Sequence, residues 1–144
     1  MKIRIAYYLI LVLFTVILAG CDIARKRSMR RLDRFEAHIK KAIDGKVLQE
    51  WANDTMRKYN FDDRIPPVTF PPCFSNVMDH GYWPSGRLTK SSDGDKCVDI
   101  TWKWIYGYAG IVIGVENKHL IVDWAKDEEE TRYLSTNLFI YAYY

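Results

Sequence analysis

Val98-Asp99-Ile100-Thr101-Trp102-Lys103-Trp104-Ile105-Tyr106 alternates apolar and polar side chains over its first seven positions. Period two marks a strand with one face in a core. The alternation puts Trp102, Trp104 and Tyr106 with Val98 and Ile100, as core rather than as an exposed aromatic platform. Gly107-Tyr108-Ala109-Gly110 turns the chain and residues 111–115 make a second strand. Glu116-Asn117-Lys118 reads as a hairpin loop and 119–124 as a third strand. Asp127-Glu128-Glu129-Glu130 is a solvated turn; Tyr133 and Leu134 open a further strand and 138–144 closes the chain. Short links between successive strands favour an antiparallel meander. The last segment, Phe139-Ile140-Tyr141-Ala142-Tyr143-Tyr144, is apolar on both faces, which predicts a partly exposed interaction patch.

A sheet of this kind needs a cover, and the sequence supplies one upstream. Met29, Leu32, Phe35, Ile39 and Ile43 recur at helical spacing, with most basic residues off that stripe. Asp44-Gly45 interrupts it, and Leu48, Trp51, Ala52, Thr55 and Tyr59 resume a helical face. Residues 60–96 hold Pro66-Pro67, Pro71-Pro72 and three glycines, and read as an irregular connection with one short strand at 68–70. The expected fold class is α+β. An N-terminal amphipathic helix, kinked or split near Gly45, packs on a C-terminal antiparallel β-meander of about four strands.

Length and composition set the outer bounds. The chain has 144 residues, 49% apolar and 27% charged, with 5 Trp, 10 Tyr and 6 Phe. That excludes a disordered chain and points to one domain. Lys2 and Arg4 precede fifteen uncharged residues, 5–19. As a helix these span about 22 Å, short of the roughly 30 Å hydrocarbon core, so the pattern reads as a secretory signal.

Leu18-Ala19-Gly20-Cys21 resembles the lipobox of bacterial lipoproteins. That resemblance implies cleavage before Cys21, diacylglycerol on its sulfur and an acylated amine. It divides the chain into a removed signal peptide (1–20), a lipidated tether (21–27) and a single α+β domain (28–144). Asp22 resembles the retention signal that keeps such proteins at the inner membrane, implying a lipid-anchored protein on the periplasmic face of the cell membrane. Leu48-Gln49-Glu50-Trp51-Ala52 is similar to a Leu-Gln-x-Trp-Ala helix of small exported bacterial proteins without known activity. Type IV pilins share the helix-then-sheet layout, but their Gly-Phe junction is replaced here by the lipobox.

Charge follows the same division. From 22 to 41 there are eight basic and three acidic residues; from 42 to 144 there are eleven and fifteen. The basic block, from Arg25 to Arg34, therefore adjoins the anchor, where anionic headgroups attract it by about 1 kcal/mol per charge. Membrane is the expected partner of that block, and nucleic acid is not.

Chemistry is sparse. With Cys21 lipidated, Cys73 and Cys97 remain, and export predicts a disulfide between them. A thiol nucleophile activated by His80 or His119 is the alternative. His38, His80 and His119 lie far apart without metal-ligand spacing, and no phosphate loop occurs, so no metal or cofactor is expected. Asp79-His80-Gly81-Tyr82-Trp83 mixes an acid, an imidazole and aromatics in a loop. The resulting expectation is a non-enzymatic binding module with a protein or envelope-polymer partner. Its alternative is a small cell-envelope hydrolase using His80 with Asp79 or Asp99.

Overall fold

The computed structural model describes residues 2–77, 84–104, 107–123 and 131–143. The readings at 79–83, Ile105, Tyr106, Trp124, 127–130 and Tyr144, and those on the side chains of Cys21, Asp22, Arg25 and Trp104, lie outside it. Two α-helices come first, α1 (Lys2–Ala42) and α2 (Gly45–Lys58). Strand β1 (Arg64–Ile65), two short 3-10 helices (Pro67–Thr69 and Pro72–Asn76) and strands β2 (Ser85–Lys90), β3 (Lys96–Trp104), β4 (Gly107–Ile113), β5 (Thr131–Ser135) and β6 (Leu138–Tyr143) follow. The class is α+β, as expected.

The break between helices is a capping event. Asp44 leaves the helical region (ψ 125°) and its carboxylate accepts from the backbone N–H of Lys46 at 2.8 Å and Val47 at 3.3 Å. Two otherwise orphaned donors at the start of α2 are thereby satisfied. Leu32, Phe35, Ile39 and Ile43 of the first stripe are buried, and Met29 is exposed. Leu48, Ala52, Thr55 and Met56 bury the inner face of α2.

At the other end of α2 the ammonium of Lys96 donates to the carbonyls of Met56 at 3.1 Å and Tyr59 at 2.8 Å. A cation on the negative end of a helix dipole also bonds its last free acceptors. Lys96→Met should lower stability by about 1 kcal/mol. Urea denaturation checks this, and an unchanged midpoint would refute the cap.

Among the described residues the sheet has six strands, all antiparallel, in the order β1-β2-β3-β4-β6-β5. It departs from the expected meander of about four in three ways. β1 and β2 come from the stretch read as irregular. Ser85-Gly86-Arg87-Leu88-Thr89-Lys90 offers Leu88 as its one large apolar side chain. Gly86 takes a second inward position under Phe70, whose ring a Cβ there would meet at 2.8 Å. The neighbours supply the apolar surface, so hydrophobic periodicity is silent.

Residues 119–123 are not a strand. Leu120 and Val122 are buried and Ile121 is exposed, so the period of two is real. Their backbone bonds to turns, with Leu120 N–H donating to Thr136 and the Ile121 carbonyl accepting from Ser92. The segment folds over one face of the sheet instead of joining it. That leaves β6 free to insert between β4 and β5. Phe139, Ile140, Tyr141 and Ala142 are consequently buried, so the predicted interaction patch does not form over these four residues, while Tyr143 is half-buried.

The predicted strand at 68–70 is likewise a 3-10 turn with Val68 90% exposed. Each proline pair starts one such turn and delivers one buried ring, Phe70 or Phe74. Two indoles secure the turns: Trp51 Nε1 donates to the Thr69 carbonyl at 2.8 Å and Trp102 Nε1 to that of Phe74 at 3.2 Å.

Helices and proline turns cover the sheet face carrying Leu88, Val98, Ile100, Trp102, Ala109, Ile111, Ile113, Ile140 and Ala142. Trp102 is core, as its alternation predicted. The opposite face holds a smaller cluster of Cys97, Val112, Leu120, Val122, Phe139 and Tyr141. Beyond that cluster, towards β1 and β2, it is open among the described residues.

Candidate functional site

Five strands, β1, β2, β3, β4 and β6, build the site on the open face. Alternation along β3 turns Cys97, Asp99, Thr101 and Lys103 away from the helices. Register then sets Arg87 of β2 opposite Asp99, and Ser85 opposite Thr101. On β1, Arg64 stands opposite Arg87. Tyr108, Tyr141 and Tyr143 close the far side. The result is an open cleft of about 550 Å³ lined by Arg64, Arg87, Asp99, Thr101, Lys103 and Tyr108 among others.

At its floor Asp99 is 3% exposed and fully engaged. Arg87 Nε donates to Oδ2 at 3.2 Å and the Tyr141 hydroxyl donates to Oδ1 at 2.7 Å. Thr101 Oγ1 lies 2.8 Å from that hydroxyl. With the tyrosine proton committed to Asp99, Thr101 is the donor of this bond. Tyr141 reaches Asp99 from β6 by crossing β4 above Gly110, its register partner.

Burial pushes the Asp99 carboxyl above the usual carboxylate range, opposed by Tyr141, Arg87 and Thr101, which favour the charged form. The Tyr141 hydroxyl is also pushed up, by burial and then by the adjacent Asp99 charge. A carboxyl whose folded value exceeds its unfolded one of about 4 binds its proton more tightly in the native state. Its contribution to stability is therefore largest at acid pH and declines as pH rises through the folded value. Asp99→Asn should remove that decline while keeping an acceptor for Tyr141. Urea midpoints measured across the acid range check this, and an identical pH slope in the variant would refute it.

Glu36 behaves oppositely. The Lys40 ammonium, and then Arg132, hold its carboxyl below the usual range. Its stabilisation is present above the unfolded carboxylate value and fades as pH falls through the lower folded one. Arg132 also meets Asp33 at 2.8 Å, so this triad clips β5 to α1.

The cysteines do not pair. Cys73 packs against the helix-side core, whereas Cys97 points into the cluster on the opposite face; both are free thiols. The sheet separates them, so the predicted disulfide is not made. Their described surroundings do not activate either thiol. Burial, with the Asp99 charge adding to it, pushes the Cys97 thiol up to about 12, and burial also raises Cys73.

Of the histidines, the ring of His119 stacks on Tyr133, with centroids 5.6 Å apart. His38 is half-buried on α1. His80 and Asp79 lie outside the described residues. Among those described, the groups bonded to Asp99 are an arginine and a tyrosine, with no imidazole. No group of three or more metal-ligating side chains occurs among them either.

Sequence reasoning named Asp99 but missed Arg64, Arg87, Thr101, Lys103 and Tyr141 as its companions. The period of two already placed Asp99, Thr101 and Lys103 on one face. What joins them to Arg87 and Tyr141 is strand register, which the chain order conceals.

The Leu-Gln-x-Trp-Ala segment has a structural explanation. Leu48 and Ala52 are core, Trp51 holds a proline turn, and Gln49 joins an amide network. Gln49 accepts from Asn137 Nδ2 at 2.8 Å and donates to the Gly114 carbonyl at 3.2 Å and to Asn53 at 3.0 Å. No protein-family model, curated protein or solved structure matches the chain.

Proposed function

We propose that this chain is an exported lipoprotein, cut before Cys21 and anchored through it, whose 28–144 unit is a non-enzymatic binding module at the cell membrane. What carries the reading is the point along α1 where packing starts. Ile10, Leu13 and Phe14 are 64%, 65% and 64% exposed, whereas Leu32 is 2% exposed. A fully buried side chain of this kind is worth about 1.5–3 kcal/mol, so such a stripe is unfavourable in water. Removal of residues 1–20 relieves that cost, and two or more acyl chains at Cys21 hold the remainder at the bilayer.

Arg27, Arg30 and Arg34 are exposed between the anchor and the packed part of α1, where they can meet anionic headgroups. Asp22 directs retention at the periplasmic face of the inner membrane. Beyond the anchor, Asp99 is committed to Arg87 and Tyr141, which favours recognition over hydrolysis.

Cys21→Ser should abolish lipidation and move the protein from the membrane to the soluble fraction, or leave it unprocessed. Mass spectrometry of the mature N-terminus with membrane fractionation checks this. An unmodified Cys21 in the membrane-bound wild type would reject the anchor. Crosslinking in cells should capture a protein or envelope polymer equally well with His80→Ala. Turnover of an envelope substrate that His80→Ala abolishes would replace the module by the hydrolase.

A further inference from the structure

Among the described residues, cations outnumber anions on the open face. Register puts Arg64 directly across from Arg87, and like charges facing one another in neighbouring strands destabilise the pair. Asp99 answers only one of them. It meets Arg87 through Nε and turns its other oxygen to Tyr141. Lys103 brings a third cation to the same cleft, where Asp99 is the one lining carboxylate among the described residues.

Geometry adds to the charge count. Binding through Nε leaves the forked end of the Arg87 guanidinium for another partner, and the side chain is 61% exposed. Paired guanidinium forks suit the two or three oxygens of a carboxylate or phosphate, with cost in desolvation offset by charge-assisted bonds. A concave wall of low dielectric concentrates this field further. Beside the cations stands Tyr108, 39% exposed, its ring braced by Tyr143 at 5.4 Å and Tyr141 at 6.3 Å between centroids. A fixed aromatic surface next to an oxyanion site fits a charged group carried on a ring.

We propose that the cleft binds an oxyanion, phosphate or carboxylate, borne on a sugar-sized ring. Arg64 and Arg87 grip the anion, Lys103 adds the third charge and Tyr108 supports the ring. Buried Asp99 and Tyr141 hold Arg87 in place from below. The proposal rests on the binding-module reading and names the chemistry of its ligand, which matches acidic or phosphorylated glycans of an envelope.

Full-length protein in a neutral detergent is titrated calorimetrically with glucose 6-phosphate, glucuronate and glucose. At least one of the two charged sugars should bind and glucose should not; the tighter one identifies the oxyanion. Arg64→Ala and Lys103→Glu, checked for unchanged thermal unfolding, should each weaken binding about tenfold or more. Arg64→Lys should restore some of the loss. Arg57→Ala on the exposed side of α2 should leave binding unchanged. Failure of both charged sugars to bind, equal binding of glucose, or indifference to Arg64 and Lys103 would overturn the proposal. If that happens while Cys21-dependent anchoring and partner capture persist, the ligand class alone has failed. Release of inorganic phosphate from glucose 6-phosphate, lost in Arg64→Ala, would keep the oxyanion site and reject the non-enzymatic reading.

Discussion

Gly110→Ala should destabilise the protein by about 3 kcal/mol, at the upper end of what overpacking a filled interior costs. The reason is that Tyr141 belongs to β6 and its partners Asp99 and Thr101 to β3, with β4 running between them. The phenol must cross the intervening strand, and it does so over Gly110. An added Cβ would lie 2.3 Å from both Cζ and the hydroxyl of Tyr141, and 2.6 Å from the backbone carbonyl of Ile100. A side chain could swing aside, but the carbonyl is held in the β3–β4 ladder and cannot move alone.

The variant must therefore expel Tyr141 or separate β3 from β4. Expelling it leaves Asp99 buried without its shortest hydrogen bond, which adds a desolvation cost. Urea denaturation followed by circular dichroism checks the magnitude. Tyr141→Ala in the same background should recover some of the loss, because the two residues share one clash. A loss under about 1 kcal/mol, the size of an ordinary substitution, would mean that Tyr141 does not take this path.

Trp102→Ala should be comparably severe, at about 3–5 kcal/mol for removing a fully buried large aromatic. Trp102 has no exposed surface and packs edge-on against Phe35 of α1 and Phe74 of the second 3-10 helix, at 5.7 and 5.9 Å. Its indole N–H also satisfies the Phe74 carbonyl. One side chain thus joins the helix, the sheet and the proline-rich connection. Trp102→Phe separates the contributions: it keeps most of the apolar volume and loses the hydrogen bond. It should cost less than half as much as alanine. For a domain of ordinary stability, about 5–15 kcal/mol, the alanine variant stands near the limit of folding.

Both predictions turn on β3, which the sequence made legible. Seven alternating residues determined which side of that strand is core and which is not, because side chains on an extended chain must alternate. Helical spacing likewise placed Leu32, Phe35, Ile39, Leu48 and Ala52 inward, since 3.6 residues per turn leaves one stripe to bury. The break at Asp44-Gly45 was equally local, an aspartate capping the helix that follows it. The resemblance of Leu18-Ala19-Gly20-Cys21 to a lipobox and the basic block beside it are likewise local patterns, which involve no partner from elsewhere in the chain.

Tertiary structure decided everything that depends on which strands become neighbours. β2 was invisible because Phe70, sixteen positions from Gly86, supplies the cover that its own residues lack. The period of two at 120–122 was genuine but led to a covering loop, since burial patterns one segment and hydrogen-bond partners lie in others. β6 reads the same whether it ends a meander or enters the sheet beside β4, and only the second arrangement buries it on both faces. The cysteines could not be paired from the sequence for the same reason: their separation along the chain says nothing about the sheet that stands between them. The cleft itself exists through register alone. Arg64, Arg87, Asp99 and Tyr141 come from four strands, and hydrogen-bond pairing across those strands, a long-range property of the fold, sets them around one point.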